Sequence, residues 1–145
     1  TKATLTATPN NQTRLYGAAN PAFPISYAGF VNSETFLVLN TQPLASSAAG
    51  STSPVGPYPI VASGGLDNNY EIVYMQGTLT ITKANVTAIA VNASRVYGSL
   101  NPLFTINYTG FVNGENSSVL DTAPTASKAC ETSPSLVDAV DGSKQ

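Results

Sequence analysis

The chain repeats itself. Leu15 to Glu34 aligns with Val96 to Glu115 without a gap, at an offset of 81 residues, and 12 of the 20 positions are identical. Pro43 with Pro124 and Ala45 with Ala126 continue the register. Such a duplication restricts the fold to two like modules in tandem, each of which must supply its own core or share one with its neighbour. The first unit spans residues 3–84 and is complete. The second spans 85–145 and is incomplete, lacking about 20 residues that would answer Leu66 to Ala84. Its last stretch, around Ser135 to Val140, also diverges and lacks the glycine and tyrosine that the first unit has at Gly56 and Tyr58. Thr1-Lys2-Ala3-Thr4 lacks the basic and apolar regions of a signal peptide and reads as the start of a piece of a longer chain.

The composition excludes several kinds of chemistry. The 145 residues include no His and one Cys, with six Lys+Arg against eight Asp+Glu. Without His there is no imidazole base and no Ser-His-Asp triad. One Cys closes no disulfide within the chain and builds no Cys-rich zinc site. Six scattered cations make no basic stripe for nucleic acid. No apolar run reaches the ~18 residues of a membrane span. Low charge and abundant Thr, Ser, Asn and Gly suit a secreted or surface β protein.

Period-two patterns dominate each unit. Thr4 to Ala7 and Thr87 to Val91 alternate and carry β-branched residues, as strands do. Phe23, Ile25 and Tyr27 alternate, as do Phe104, Ile106 and Tyr108, with Gly29 and Gly110 ending each strand. Asn20-Pro21 and Asn101-Pro102 mark turns, because the residue before proline is pushed out of the helical region. Asn32-Ser33-Glu34 and Asn113-Gly114-Glu115 are read as caps of one short helix per unit. Pro57 and Pro59 place their strand at a sheet edge. Tyr70, Ile72, Tyr74 and then Gly77 to Thr82 supply two closing strands. Lys83-Ala84 is a link short enough to make the array semi-rigid.

These motifs, in order, are Tyr-Gly-x-x-Asn-Pro-x-Phe, Tyr-x-Gly-Phe-Val-Asn-Gly-Glu, Val-Gly-x-Tyr-x-Ile and Asn-Tyr-x-x-x-Tyr-x-x-Gly-Thr-Leu-Thr-Ile. They resemble the MBG domain of the YGX type, a tandem module of large bacterial secreted and surface proteins, many adhesin-like. The resemblance covers Ala3 to Ala84 and Asn85 to about Pro134. It departs at Ser33, where the second unit has the usual Gly114, and in the missing closing motifs of the second unit. It implies a mainly β, β-grasp-like module and no catalytic residues. An immunoglobulin-like sandwich is the alternative, with Gly56-x-Tyr58 read as a tyrosine corner. The signature residues are assigned structural roles: Tyr16, Gly17, Asn20, Pro21, Phe23, Tyr27, Gly29, Phe30 and Glu34, with Tyr97, Gly98, Asn101, Pro102, Phe104, Tyr108, Gly110, Phe111 and Glu115.

Each reactive reading meets a plainer one. Glu34 and Glu115 recur once per unit, so they make no facing pair for glycoside cleavage, and helix capping accounts for them. Asp67-Asn68-Asn69-x-Glu71 offers oxygens but lacks the spacing of a calcium loop, and an Asx turn explains it. The repeated tyrosines suit a core with hydroxyls at its rim better than a glycan platform. Lys83 is a linker charge rather than part of a covalent Lys-Asn tie. Cys130 has no base to activate it. Five sequons, at Asn11, Asn85, Asn92, Asn107 and Asn116, are of the number such a composition produces by accident.

The expectation is therefore a non-catalytic extracellular spacer or stalk module of a bacterial surface or secreted adhesin-like protein. It takes no cofactor and no metal, and binds neither nucleic acid nor membrane. Its partners are neighbouring repeats. The alternative is an adhesion module whose exposed Tyr and Asn engage a glycan or a host protein. Unpaired strand edges in the incomplete unit predict self-association by edge pairing or strand exchange, or else a poorly ordered second unit.

Overall fold

The computed structural model describes residues 1–128. The expectations for Cys130 and the 135–140 stretch lie outside the described residues. The first repeat forms seven strands: β1 Ala3–Pro9, β2 Gln12–Leu15, β3 Ile25–Ala28, β4 Leu44–Ser46, β5 Gly56–Ser63, β6 Tyr70–Tyr74 and β7 Gly77–Thr82. The described part of the second contributes β8 Thr87–Ala90 and β9 Ile106–Thr109. In β1 and β7 the period-two reading holds residue by residue, whereas β8, read the same way, ends at Ala90 and is exposed throughout. Leu5, Ala7 and Pro9 face inward from β1, and Gly77, Leu79 and Ile81 face inward from β7.

Two sheets share one bent pair of strands. One sheet has the order β3-β1-β6 and the other β2-β7-β5-β4. β1 runs parallel to β6, and β2 runs parallel to β7. Only Asn10 and Asn11 separate β1 from β2, and only Met75 and Gln76 separate β6 from β7, so both chains turn at the same level. Asn11 Oδ1 fastens that corner by accepting from the Thr78 amide at 2.8 Å. Gly77 lets the chains close up there, since a Cβ on it would lie 2.4 Å from the Pro9 carbonyl oxygen.

The parallel pair is flanked by antiparallel strands, β3 against β1 and β5 against β7. The fold is thus mainly β, with the central parallel pair of a β-grasp-like module. The immunoglobulin-like alternative consists of antiparallel sheets and does not describe it. The tie that suggested a tyrosine corner nevertheless exists, since the Tyr58 hydroxyl donates to the Pro54 carbonyl at 2.9 Å. Pro57 and Pro59 lie opposite Thr80 and Thr78, while β4 covers only Val61–Ser63 of β5. Both prolines therefore sit where β5 is an edge, with no outer strand asking for their missing N–H.

The short helix of each unit is a single 3-10 turn, Phe36–Val38 in the first repeat and Ser117–Val119 in the second. Glu34 does not cap it. The N-cap is Thr35, which makes no side-chain hydrogen bond. Asn116 does cap the second turn, accepting from the Ser118 amide at 2.9 Å. Two apolar clusters form the first repeat's core. Leu5, Leu39 and Tyr70 fill one, with Tyr27 and Phe30 against them. Ala49, Ile60, Leu79 and Ile81 fill the other, with Tyr16, Phe23 and Tyr58 against them.

The second repeat copies the start of the first in detail. Thr87 pairs with Thr109 as Thr6 pairs with Ala28, the same register 81 residues on. Tyr108 and Phe111 sit 5.9 Å apart at 47°, matching Tyr27 and Phe30 at 5.8 Å and 48°. Among the described residues, β8 pairs with β9 alone.

Candidate functional site: the junction between the repeats

The two repeats meet through their own signature residues. β2 ends at Leu15, and the Tyr16 amide donates to Thr82 at the end of β7 (2.8 Å). Gly17 then turns the chain at φ +83°, with the Ala18 amide returning to the Leu15 carbonyl at 3.2 Å. This presents Tyr16 and Gly17 at the end of the module from which the link to β8 departs. On the other side, Val112 to Glu115 forms a tight turn, with Asn113 at φ +54° and the Glu115 amide donating to the Val112 carbonyl at 3.0 Å. Asparagine tolerates that left-handed conformation better than most residues.

Three contacts dock these elements. The Tyr16 hydroxyl donates to Glu115 Oε1 at 2.6 Å, within the range of a charge-assisted bond. That bond holds the Tyr16 hydroxyl above the ordinary tyrosine pKa of 10.0, because ionising it would place two anions together. The side chain of Val112 lies over Gly17, where a Cβ would come within 2.6 Å of it. The Asn113 side-chain amide reaches the Ser51 carbonyl at 3.3 Å, and the Gly17 amide donates to that same oxygen at 3.1 Å. Tyr16, Val55, Phe111 and Leu120 help to line a shallow, mostly apolar crevice of about 190 Å³ at the seam.

The other signature residues brace each module. Asn20 joins two parts of the Tyr-Gly turn: its oxygen accepts from Arg14 Nε at 2.7 Å, and its amide donates to the Ala49 carbonyl at 2.7 Å. Arg14 is buried, and its guanidinium also reaches the carbonyls of Leu15 and Gly50. Pro21 follows Asn20 in this turn and is half-buried. Gly29, at φ +111°, passes so close to β1 that a Cβ would lie 2.4 Å from the Thr4 carbonyl oxygen; Gly110 repeats this against Asn85. Glu34 accepts from the buried Tyr70 hydroxyl at 2.5 Å, and that hydroxyl accepts from the Val31 amide at 3.0 Å. In the second repeat Phe104, Tyr108 and Phe111 are half-buried, whereas Tyr97, Gly98, Asn101 and Pro102 are exposed.

Sequence reasoning missed three things. It gave Glu34 and Glu115 to capping, but both accept from tyrosine hydroxyls. It read Tyr16 as a core ring with its hydroxyl at the rim, and did not foresee that this hydroxyl crosses to Glu115 of the next repeat. It passed over Arg14, whose burial has no pattern signal beyond a cation on the inward parity of a short strand.

Asp67 Oδ1 accepts from the amides of Asn69 and Tyr70 at 2.7 and 3.0 Å, the expected Asx turn. Those N–H groups, that of Asn69 foremost, hold its carboxyl below the ordinary 3.8. Among the described residues no three Asp, Glu, His or Cys side chains gather where they could hold a metal ion. No helix there is long and apolar enough to cross a membrane. Compared with known proteins, the chain matches the model of the MBG domain (YGX type) family twice, over residues 5–80 and 85–135. No curated protein and no solved structure matches it.

Proposed function

Because the chain belongs to the MBG domain (YGX type) family, we propose that it is a non-catalytic repeat module serving as an extracellular spacer or stalk in a bacterial surface or secreted, adhesin-like protein. The observation that carries this reading is the docked junction. A module whose signature Tyr-Gly is engaged by the signature loop of the next one is built to hold its neighbour at a fixed angle. Four residues, Lys83 to Val86, separate β7 from β8, and a link that short leaves little slack. A stiff row of inert modules gives reach, which is what a stalk supplies.

The test is relative orientation in solution. Residual dipolar couplings of the full chain should fit a single alignment tensor for residues of both repeats. Independent tensors would mean freely jointed modules and would sink the spacer reading.

One observation favours the adhesion reading. Tyr27 and Phe36 stack at 6.2 Å and 15° beside exposed Leu37 and Leu44. The repeat equivalents of Phe36, Leu37 and Leu44 are Ser117, Ser118 and Thr125, so the fold does not demand this apolar patch. A glycan array carrying the full chain separates the two readings: reproducible binding lost in Phe36→Ser would make the first repeat a binding module.

A further inference from the structure

Arg14 is a buried cation whose hydrogen-bond partners are all neutral. It is 7% exposed, and its guanidinium donates to Asn20 Oδ1, the Leu15 carbonyl and the Gly50 carbonyl. Taking a charge out of water is costly, and neutral acceptors return less of that cost than a carboxylate does. An apolar side chain at this inward position of β2 would fill the space without it, as Leu79 and Ile81 do on β7 alongside. What the guanidinium supplies instead is geometry: a rigid planar fork whose five donors reach acceptors in several directions at once.

Those directions lead to the two segments that receive the second repeat. One is the Tyr-Gly turn, which Leu15 opens and Asn20 closes. The other is Ala49 to Ser51, where Gly50 accepts from Arg14, Ala49 accepts from the Asn20 side chain and Ser51 accepts from the Gly17 amide. The three docking contacts all fall on these segments: Glu115 takes the Tyr16 hydroxyl, Val112 covers Gly17, and Asn113 donates to the Ser51 carbonyl. The Ser51 oxygen serves the Gly17 amide and the Asn113 side chain together, which requires the two segments to keep one spacing. Arg14 and Asn20 hold that spacing through hydrogen bonds that stay inside the first repeat. Both residues recur 81 positions on, as Arg95 and Asn101, so the pair belongs to the repeated pattern.

We infer that Arg14, acting with Asn20, is the positioning residue of the junction: it fixes the Tyr-Gly turn against the Ala49 to Ser51 segment and thereby sets the angle at which the next repeat docks. The inference deepens the spacer reading and rests on it. Arg14→Lys keeps the charge, but an ammonium on a flexible stem does not reproduce the fork. Asn20→Ala removes the tie between Arg14 and Ala49, and Asn20 is exposed, so this second substitution spares the fold.

The test is the amide spectrum of each full-length variant. The Val112 and Glu115 amides report docking from the second repeat, to which Arg14 makes no hydrogen bond. The Leu5 and Tyr70 amides report folding of the first repeat from its other apolar cluster. In Arg14→Lys and in Asn20→Ala, the Val112 and Glu115 shifts should move to where they lie in a Tyr16→Phe chain, which cannot make the Glu115 bond. Nuclear Overhauser contacts between Tyr16 and the Val112–Glu115 turn should be lost, while the Leu5 and Tyr70 shifts stay in place. Val112 and Glu115 shifts that stay at their wild-type positions in Asn20→Ala, or in a folded Arg14→Lys, overturn the inference and make the fork a brace of the first repeat alone. The spacer reading is judged separately, on the wild-type chain. A single alignment tensor there, with unmoved shifts in the variants, sinks only the role of Arg14; independent tensors in the wild type sink the spacer reading itself.

Discussion

Glu115 accepts a 2.6 Å hydrogen bond from Tyr16, a residue 99 positions earlier in the chain and in the other repeat. Its counterpart Glu34 accepts instead from Tyr70 of its own repeat. One position in an 81-residue pattern therefore meets two different tyrosines, and the hydroxyl makes the bond only while it keeps its proton. This gives the junction a sign in pH. The folded-state pKa of Tyr16 is raised, so its contribution is complete below the ordinary value of 10.0 and is lost as pH climbs through the higher folded value. Wild-type chain should show the amide shifts of Gly17 and Val112 moving together above pH 10.0. In Tyr16→Phe those two shifts should already lie at the undocked position at neutral pH and stay there. An alkaline transition retained in Tyr16→Phe would assign the effect to another tyrosine.

Tyr70 tests the intra-repeat arm of the same device. Its ring is buried in the Leu5–Leu39 cluster and meets Phe30 edge-on at 5.4 Å. Its hydroxyl serves the Val31 amide and Glu34 together. Tyr70→Phe keeps the ring and orphans both partners, and an unsatisfied polar group near a core costs more than the bond itself is worth. Tyr74→Phe loses only a hydroxyl whose bonds to the Gly65 backbone are solvent-exposed. The urea midpoint should therefore fall clearly in Tyr70→Phe and little in Tyr74→Phe. Equal shifts would show that the Tyr70 hydroxyl braces nothing.

Much of this was legible before any coordinates. The strands followed from period-two alternation, because a half-buried strand must put Leu5 and Ala7 on one side and Thr4 and Thr6 on the other. The edge position of Pro57 and Pro59 followed from the missing N–H. The Asx turn at Asp67 followed from local chemistry. Glu34 and Glu115 were misjudged for a physical reason. A carboxylate ahead of a turn looks the same in sequence whether it caps that turn or takes a hydroxyl from a strand 36 residues away. Arg14 was invisible because its three acceptors, Asn20, Leu15 and Gly50, are brought together only by tertiary structure. The parallel pairing of β1 with β6 was likewise hidden, since alternation states which face is buried and not which strand lies alongside.

Acid should loosen the opposite end of the first repeat. Asp67 joins the start of β6 to the Asn40 loop, with its second oxygen accepting from the Asn40 amide at 3.3 Å. Its folded-state pKa is depressed below 3.8, so the stability it supplies is present above that value and is lost as pH falls through the lower folded value. Asp67→Asn keeps one acceptor oxygen and has no proton to take up there. Comparing urea midpoints at neutral pH and well below 3.8, the drop should be smaller in Asp67→Asn than in wild type. An equal drop would place the acid-sensitive group elsewhere.

Gly17 and Gly29 both turn at positive φ, yet their replacement should have different consequences. At Gly29 a Cβ would strike the Thr4 carbonyl oxygen at 2.4 Å, inside the β1–β3 pair, and φ +111° is poor for any L side chain. Backbone cannot yield without breaking the sheet, so Gly29→Ala should cost at least about 2 kcal/mol of first-repeat stability. At Gly17 the obstacle is the side chain of Val112, which belongs to the other repeat. The cheaper response is for that repeat to move away. Gly17→Ala should lower first-repeat stability by about 1 kcal/mol from the φ strain alone, while the Tyr16 to Glu115 contact is lost. Urea unfolding reads the first quantity, and nuclear Overhauser contacts between Tyr16 and the Val112–Glu115 turn read the second. If those contacts survive in Gly17→Ala, or vanish in a folded Gly29→Ala, the division of labour between the two glycines is wrong.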